Sequence, residues 1–493
     1  MKKIFLSVIL ASTWLITGCV NDSEDFNDDR DKPYELPPVL QVNHAEKELA
    51  KQIATPDVNL NVFRYFQHYW TSTTYYTDAI FDFTGTRKVP DNHWNVLYRN
   101  VLGNLESAKG SVLSEVKPAT ITQENWDKQQ NNKLAIIDIL QVYVFNILVD
   151  SFGDVPYSEA LNPKLALPKY DDAATIYPNL LQRLDDDLAK LDPSYGSFEA
   201  GEHLLRGDTG KWKIFANSLK LKIGINLADV NPSLAKSTIE SAYAGGVVLD
   251  SSQDIAFDFP SSAPDYNPIY ASVIASGRND YVAEETLVNA MNGLNDPRIA
   301  VYYTLYTEKD SSGNITFSGY KGGVLGTANS YSAYSHIGTA LLNPDFPAYL
   351  FDSSEINFYL SEAAARGYSV GGSAESYYVK AIKESFKQWG LSDADATAYI
   401  ATVPFSSGSW KESIGEQAWI ALFNRGFESW NFWKRLDYPK LTAPNAISWA
   451  EGKVPVRLTY PINEQTVNGA NYSKAAGAIG GDLLTTKIFW DVN

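Results

Sequence analysis

Apolar residues recur at the spacing of one helix face along most of the chain. Between Lys133 and Asp150 they fall at Leu134, Ile137, Leu140, Val144, Ile147 and Leu148, a stripe that predicts a helix. Ala174 to Leu191 repeats the pattern, with Asp185, Asp186 and Asp187 on a wet side and Pro193 just beyond its end. Lys211 to Asp229 carries Trp212, Phe215, Leu219 and Ile223 and stops before Asn231 and Pro232. Ser354 to Arg366 and Ala374 to Trp389 form a pair joined across Gly367, Gly371 and Gly372. The small residues Ala363, Ala364, Ala365 and Ala381 would let those two helices approach closely, as tetratricopeptide helix pairs do, although no clean tetratricopeptide period runs through the sequence. Gln417 to Arg435 predicts one further helix, studded with Trp419, Phe423, Trp430 and Trp433.

From about residue 245 to 350 the helical spacing gives way to Ser, Gly, Pro, Asn and Tyr. Tyr302 to Tyr320 predicts a hairpin around Asp310, Ser311, Ser312, Gly313 and Asn314. A loop region this long inside one domain usually carries function. Gly469 to Gly481 also reads as loop. No linker divides the chain, so residues 43–493 are expected to form a single, mainly α domain with a loop-rich insertion at about 245–350.

The first residues follow another rule. Lys2 and Lys3 precede the apolar stretch Ile4 to Ile16, and Thr17 and Gly18 then lead to Cys19, the only cysteine in the chain. The apolar stretch has the form of a secretory leader and is too short to span a bilayer. The pattern resembles a bacterial lipobox, which implies that residues 1–18 are a signal peptide and that Cys19 becomes a lipid-bearing N-terminus. Acyl chains hold a protein by burying methylenes, at about 0.8 kcal/mol each. Residues 19–42 then form a flexible tether. Its run Asn21, Asp22, Ser23, Glu24 and Asp25 resembles the acidic tags that send some lipoproteins to the outer face of the outer membrane. Elsewhere, Leu134 to Val149 comes nearest to a membrane span, but Asp138, Gln141 and Asn146 interrupt it, and a buried helix is expected.

Charge narrows the partners. A net charge of −17, with no basic run, opposes binding to nucleic acid or anionic lipid. At 44% hydrophobic and 20% charged residues the composition is that of a globular protein, but 12 Trp, 30 Tyr and 22 Phe make it aromatic-rich. Such side chains suit both helix packing and sugar-binding surfaces, because each joins a flat apolar face to an edge. Enzyme signatures are missing: there is no HExxH or GxSxG motif, and His44, His68, His93, His203 and His336 lack metal-ligand spacing. Gly207 to Trp212 only superficially suggests a phosphate loop, since no Ser or Thr follows Lys211. A glycosidase carboxylate pair depends on separation in space, which sequence does not give. No cofactor is expected. Oxygen-rich loops leave room for structural Ca²⁺, although Asp310 to Asn314 lacks the spaced acids of a dedicated site.

Six motifs occur in a characteristic order. Val149 to Ala160 reads VDSFGDVPYSEA. Gly207 and Asp208 are followed by Lys211-Trp212 and by Ala216 to Leu221. Asn295-Asp296-Pro297-Arg298 comes next, then the alanine-rich Glu355 to Gly367. Trp419 to Phe423 leads to Glu428-Ser429-Trp430 and to Arg435 to Leu441. Pro455 to Pro461, with Asn463-Glu464-Gln465, closes the set. The chain resembles the SusD/RagB family of outer-membrane nutrient-binding lipoproteins over nearly its whole mature length. Structural roles account for the motif residues themselves: Gly153 and Pro156 shape a turn, Asp154 can accept from loop amides, and Arg435 and Arg457 can stack or pair.

The resemblance implies a scaffold of four tetratricopeptide-like helix pairs with loops and short strands over one side. It also implies a partner, a SusC-like TonB-dependent transporter, and the capture of an oligosaccharide or other nutrient outside the cell. Ligand contacts vary too much within the family to carry over. The chemistry of sugar recognition, flat aromatics beside hydrogen-bonding groups, instead selects two stretches. The first, Trp70 to Asp78, contributes Trp70, Tyr75 and Tyr76. The second, in the loop region, contributes Tyr266, Tyr270, Tyr320, Tyr331, Tyr334 and His336. Two other functions fit the sequence: a binder of peptide or another non-sugar nutrient, and a lipid-anchored glycoside hydrolase.

Overall fold

Side-chain caps set where the long helices begin. Thr122 accepts the Asn125 N–H (3.2 Å) ahead of Gln123–Phe152, and Asp172 accepts the Ala174 N–H (2.8 Å) ahead of Ala173–Lys190. Asp208 takes two amides of Thr209–Asn226, Asn231 caps Pro232–Gly245, Asp352 caps Ser353–Ala365 and Ser373 caps Ala374–Gln388. Each satisfies a backbone donor that the first turn leaves without a helical partner. Gly153, at φ 83°, ends the longest helix in a conformation that other residues resist.

The computed structural model describes residues 36–83, 87–444 and 450–493. The leader, Cys19 and residues 19–35 of the tether lie outside the described residues. The first described helix, Pro38–Ala54, starts inside the stretch assigned to the tether, and it buries Gln41 and Val42. The folded domain therefore begins at Pro38, earlier than expected, because an apolar helix face here outweighs the two prolines.

Helices pack in pairs: Pro38–Ala54 with Gly103–Ser114, Gln123–Phe152 with Ala173–Lys190, Thr209–Asn226 with Pro232–Gly245, and Ser353–Ala365 with Ala374–Gln388. Small residues permit the close approaches. A Cβ on Gly224 would lie 3.0 Å from Thr238, and in the last pair the Ser354 and Ser361 hydroxyls reach the Ala381 and Ala374 carbonyls at 2.8 and 2.7 Å. Helix Gln123–Phe152 is long and apolar enough to cross a membrane by composition, yet its apolar half is buried among its neighbours.

Two readings need correction. Gln417 to Arg435 is not one helix but two, Trp410–Ala421 and Gly426–Leu436. The break exists because Gly426 sits against the backbone of Arg64, where a Cβ would come within 2.7 Å of its nitrogen. Asn424 meanwhile accepts from the Arg64 guanidinium. The corner is set by a partner 360 residues away. Gly469 to Gly481 is also not all loop: Gly469–Ala478 is helical and ends at Gly480 and Gly481, both at positive φ. Its glycines hid the signal, and Ala475 is buried against the domain.

Among the described residues the strands form four two-stranded antiparallel sheets: Trp70–Ser72 with Tyr281–Ala283, Val155–Pro156 with Tyr170–Asp171, Ile255–Phe257 with Ala348–Phe351, and Tyr306–Lys309 with Ile315–Gly319. The last is the expected hairpin. Arg435 and Arg457 are buried and paired, to Glu362 at 3.0 Å and to Asp482 at 2.7 Å, with their guanidinium groups over Phe432 and Tyr460. Asp154 accepts the Ala173 N–H at 2.9 Å. These motif residues hold the scaffold together.

Candidate functional site

Trp70 to Asp78 and the loop region lie some 200 residues apart in sequence, and one strand pair joins them. Trp70 stands opposite Ala283 and Ser72 opposite Tyr281. The Thr73 N–H extends the ladder to the Asp280 carbonyl at 2.9 Å. Asn329 then ties the junction to a second loop by donating to Thr71 Oγ1 and to the Ser72 carbonyl, at 3.3 and 3.1 Å. The rigid β junction lets the residues that follow Ser72 project into a cleft.

That cleft encloses about 360 Å³ between the turn at residues 55–59, the segment carrying Tyr75 and Asp78, and the stretch from Pro268 to Tyr281. Its size falls within the range of small-molecule sites. Tyr75, 47% exposed, stands at its edge with the Arg87 guanidinium 4.8 Å from the ring centroid. The cation covers one face of the ring and leaves the other open. Arg87 Nε also lies 3.2 Å from Asp78 Oδ1. The Asp78 carboxylate is wholly buried, and neither oxygen accepts a well-aligned hydrogen bond from the described residues. Burial pushes its pKa up to about 6, and Arg87 opposes the shift. Across the cleft, Arg278 pairs with Asp280 at 3.0 Å, and the Tyr281 hydroxyl donates to the Pro56 carbonyl at 2.7 Å. A flat ring face therefore sits beside an under-occupied carboxylate acceptor and guanidinium donors. This arrangement suits a polyhydroxylated ring with one apolar face.

The remaining sequence candidates divide by place. Trp70 requires a correction: it is 1% exposed, packed 5.5 Å from the Tyr281 ring and under the Arg64 guanidinium, and presents no face to a ligand. Every residue of its strand is buried, so the polar character of the neighbouring threonines misrepresented its surroundings. Tyr76 is 48% exposed beside the cleft but does not line it. Tyr266 and Tyr270 pack edge to face at 5.0 Å, immediately before Ala271 and Ser272 of the cleft wall. Tyr320, Tyr331, Tyr334 and His336 belong to a separate surface. There Lys321 Nζ lies 5.1 Å from the Tyr306 ring and 5.6 Å from Tyr334, and Asn292 donates to the Tyr320 carbonyl. Tyr331 stacks on His336 at 3.8 Å, so each ring already covers one face of the other.

Sequence reasoning missed Arg87, Arg278, Asp280 and Tyr281. Nothing in their local pattern marks them: the strand pairing brings Arg278, Asp280 and Tyr281 to Tyr75, and Arg87, twelve residues after Tyr75, reaches it beside Asp78. Among the described residues no group of three or more His, Cys, Asp or Glu could hold a metal ion, and the Asp310 carboxylate is taken up by the Ser312 and Asn314 amides of its own turn.

A family model described as starch-binding and associating with the outer membrane, SusD-like, matches residues 31–461. The chain belongs to the SusD-like family. Solved structures agree. A chitin-binding protein, 28% identical, superposes with a TM-score of 0.79 over 92% of this chain and 100% of its own. A SusD-like protein from Bacteroidetes, 23% identical, gives 0.77 over 93% and 100%. A chitin-binding SusD homologue from Flavobacterium johnsoniae, 24% identical, gives 0.73 over 93% and 98%. No curated protein matches. The SusD-like architecture is the tetratricopeptide-like helical scaffold with few short strands, as described above.

Proposed function

We propose that this SusD-like chain captures an oligosaccharide in the Tyr75 cleft and passes it to a SusC-like TonB-dependent transporter in the outer membrane. In this reading Cys19 carries the lipid, the acidic tether holds the domain outside the cell, and the cleft binds without cleaving. The observation that carries the proposal is the open face of Tyr75 beside the buried Asp78 carboxylate and Arg87. Ring stacking fixes the plane of a sugar, while the carboxylate and guanidinium read its hydroxyl or amide edge.

The similarity to a chitin-binding protein favours an N-acetylglucosamine oligomer as the first ligand to try. An acetamido N–H is a donor suited to Asp78, whose Oδ1 lies against the Arg87 guanidinium while Oδ2 accepts no hydrogen bond from the described residues. Calorimetry of the mature domain against chitin, starch and other neutral oligosaccharides tests this reading. Saturable binding of one class is expected, and failure to bind any of them refutes it. Copurification with a β-barrel from detergent-solubilised outer membranes tests the transporter, and recovery of the lipoprotein alone refutes that part.

A further inference from the structure

The turn that leads into the GDTGKW stretch lines a second cleft, of about 380 Å³, which shares no residue with the Tyr75 cleft. One wall carries His203, Arg206 and Lys211, and the other carries Gln253, Asp254 and Asp258. Arg206 adopts a left-handed backbone at φ 60°, an unfavourable state for a residue with a side chain. The buried Glu202 imposes it by accepting the amides on either side, from Leu205 at 2.8 Å and Gly207 at 2.7 Å. The strained turn holds Arg206 at the mouth. Lys211 follows from the first turn of Thr209–Asn226, where Asp208 already accepts the Gly210 and Lys211 amides. In a chain of net charge −17, neither Arg206 nor Lys211 has an ion-pair partner within 4.0 Å among the described residues.

We propose that this second cleft binds a hexuronate residue of an acidic saccharide. The cationic wall receives the planar sugar carboxylate, which matches the fork of a guanidinium. The opposite wall accepts from the ring hydroxyls through Asp258, Gln253 and Asp254. The division of charge across the cleft thus orients the ring. Burial and the nearby Asp352 push the Asp254 carboxyl up to about 7, which softens its repulsion of an anion. The inference stands apart from neutral-glycan binding at Tyr75, and its test does not depend on that site.

The test is calorimetry of the mature domain with trigalacturonate and with its methyl ester, which removes the charge and adds one methyl group per carboxylate. The acid is expected to bind about tenfold tighter or more, given one or two charge-assisted hydrogen bonds. That advantage should shrink as salt rises from about 50 mM to about 500 mM. The double variant R206G/K211Q, in which glycine accepts the left-handed backbone, should bind acid and ester alike with an unchanged melting temperature. Should R206G shift the melting temperature, K211Q alone, at an exposed helix position, is expected to lose most of the preference. Equal binding of acid and ester by the wild type overturns the proposal, and so does a preference that survives in the folded variants. Tighter binding of a sulfated galactose trimer than of trigalacturonate overturns the carboxylate assignment.

Discussion

Tyr75→Ala removes the one ring face that the cleft leaves open. A tyrosine offers about 150–250 Å² of surface. With 47% exposed, roughly 70–120 Å² remains free to be covered. At about 25 cal/mol/Å² full coverage would give about 2–3 kcal/mol, and a sugar covering half of that area gives about 1–1.5 kcal/mol. The dissociation constant of a bound oligosaccharide should therefore rise about five- to tenfold. Tyr75→Phe keeps the face and the Arg87 contact, and should stay within about twofold of wild type. Calorimetry on both variants, with matched melting curves, is the assay. An alanine variant that binds as tightly as wild type would refute the claim that stacking at Tyr75 fixes the sugar. Equal losses in the alanine and phenylalanine variants would instead assign the contact to the hydroxyl.

Asp78 links binding to pH. Its folded pKa of about 6 stands above that of an unfolded Asp, about 3.9, so the native state holds the extra proton between about pH 4 and 6. The stability that this group contributes is full below that window and is lost as pH rises through it. Binding runs the other way, since only the carboxylate accepts two donors. Affinity should fall as pH drops below about 6, and Asp78→Asn should weaken binding and flatten that profile. Burial and Asp138 likewise push the Asp187 carboxyl up to about 8. Asp187→Asn should therefore raise the melting temperature at about pH 8 and change little near pH 4, as differential scanning calorimetry would show. Glu362→Ala strands the buried Arg435 guanidinium, and chemical denaturation should report a loss of about 3–5 kcal/mol. Trp70→Phe should cost about 1–3 kcal/mol in the same assay yet leave oligosaccharide affinity within about twofold, because the indole is core and not ligand surface.

Local pattern was enough for helices at 133–150, 174–191 and 211–229, for the pair 354–366 with 374–389, for the hairpin at residues 306–319 and for the order of the family motifs. It was not enough for Pro38–Ala54, Gly103–Ser114 or Pro232–Gly245. A helix face writes its period directly into neighbouring residues, and a cap needs only the first turn. The alanines that let Ser353–Ala365 meet Ala374–Gln388 were likewise visible, because size alone decides how near two helices come, whereas the Ser354 and Ser361 hydrogen bonds across the pair were not. The three-dimensional fold decided what depends on distant partners. Trp70 and the exposed Tyr75 lie five residues apart in one polar stretch, and pairing with Tyr281–Ala283 buries the first and frees the second. Arg278 and Asp280 became cleft residues by the same pairing, and Arg87 by its contact with Asp78. The corner before Gly426 exists because the backbone of Arg64 leaves no room for a Cβ. A residue's surroundings are set by contacts that close loops of hundreds of residues, and no short window of sequence carries that information.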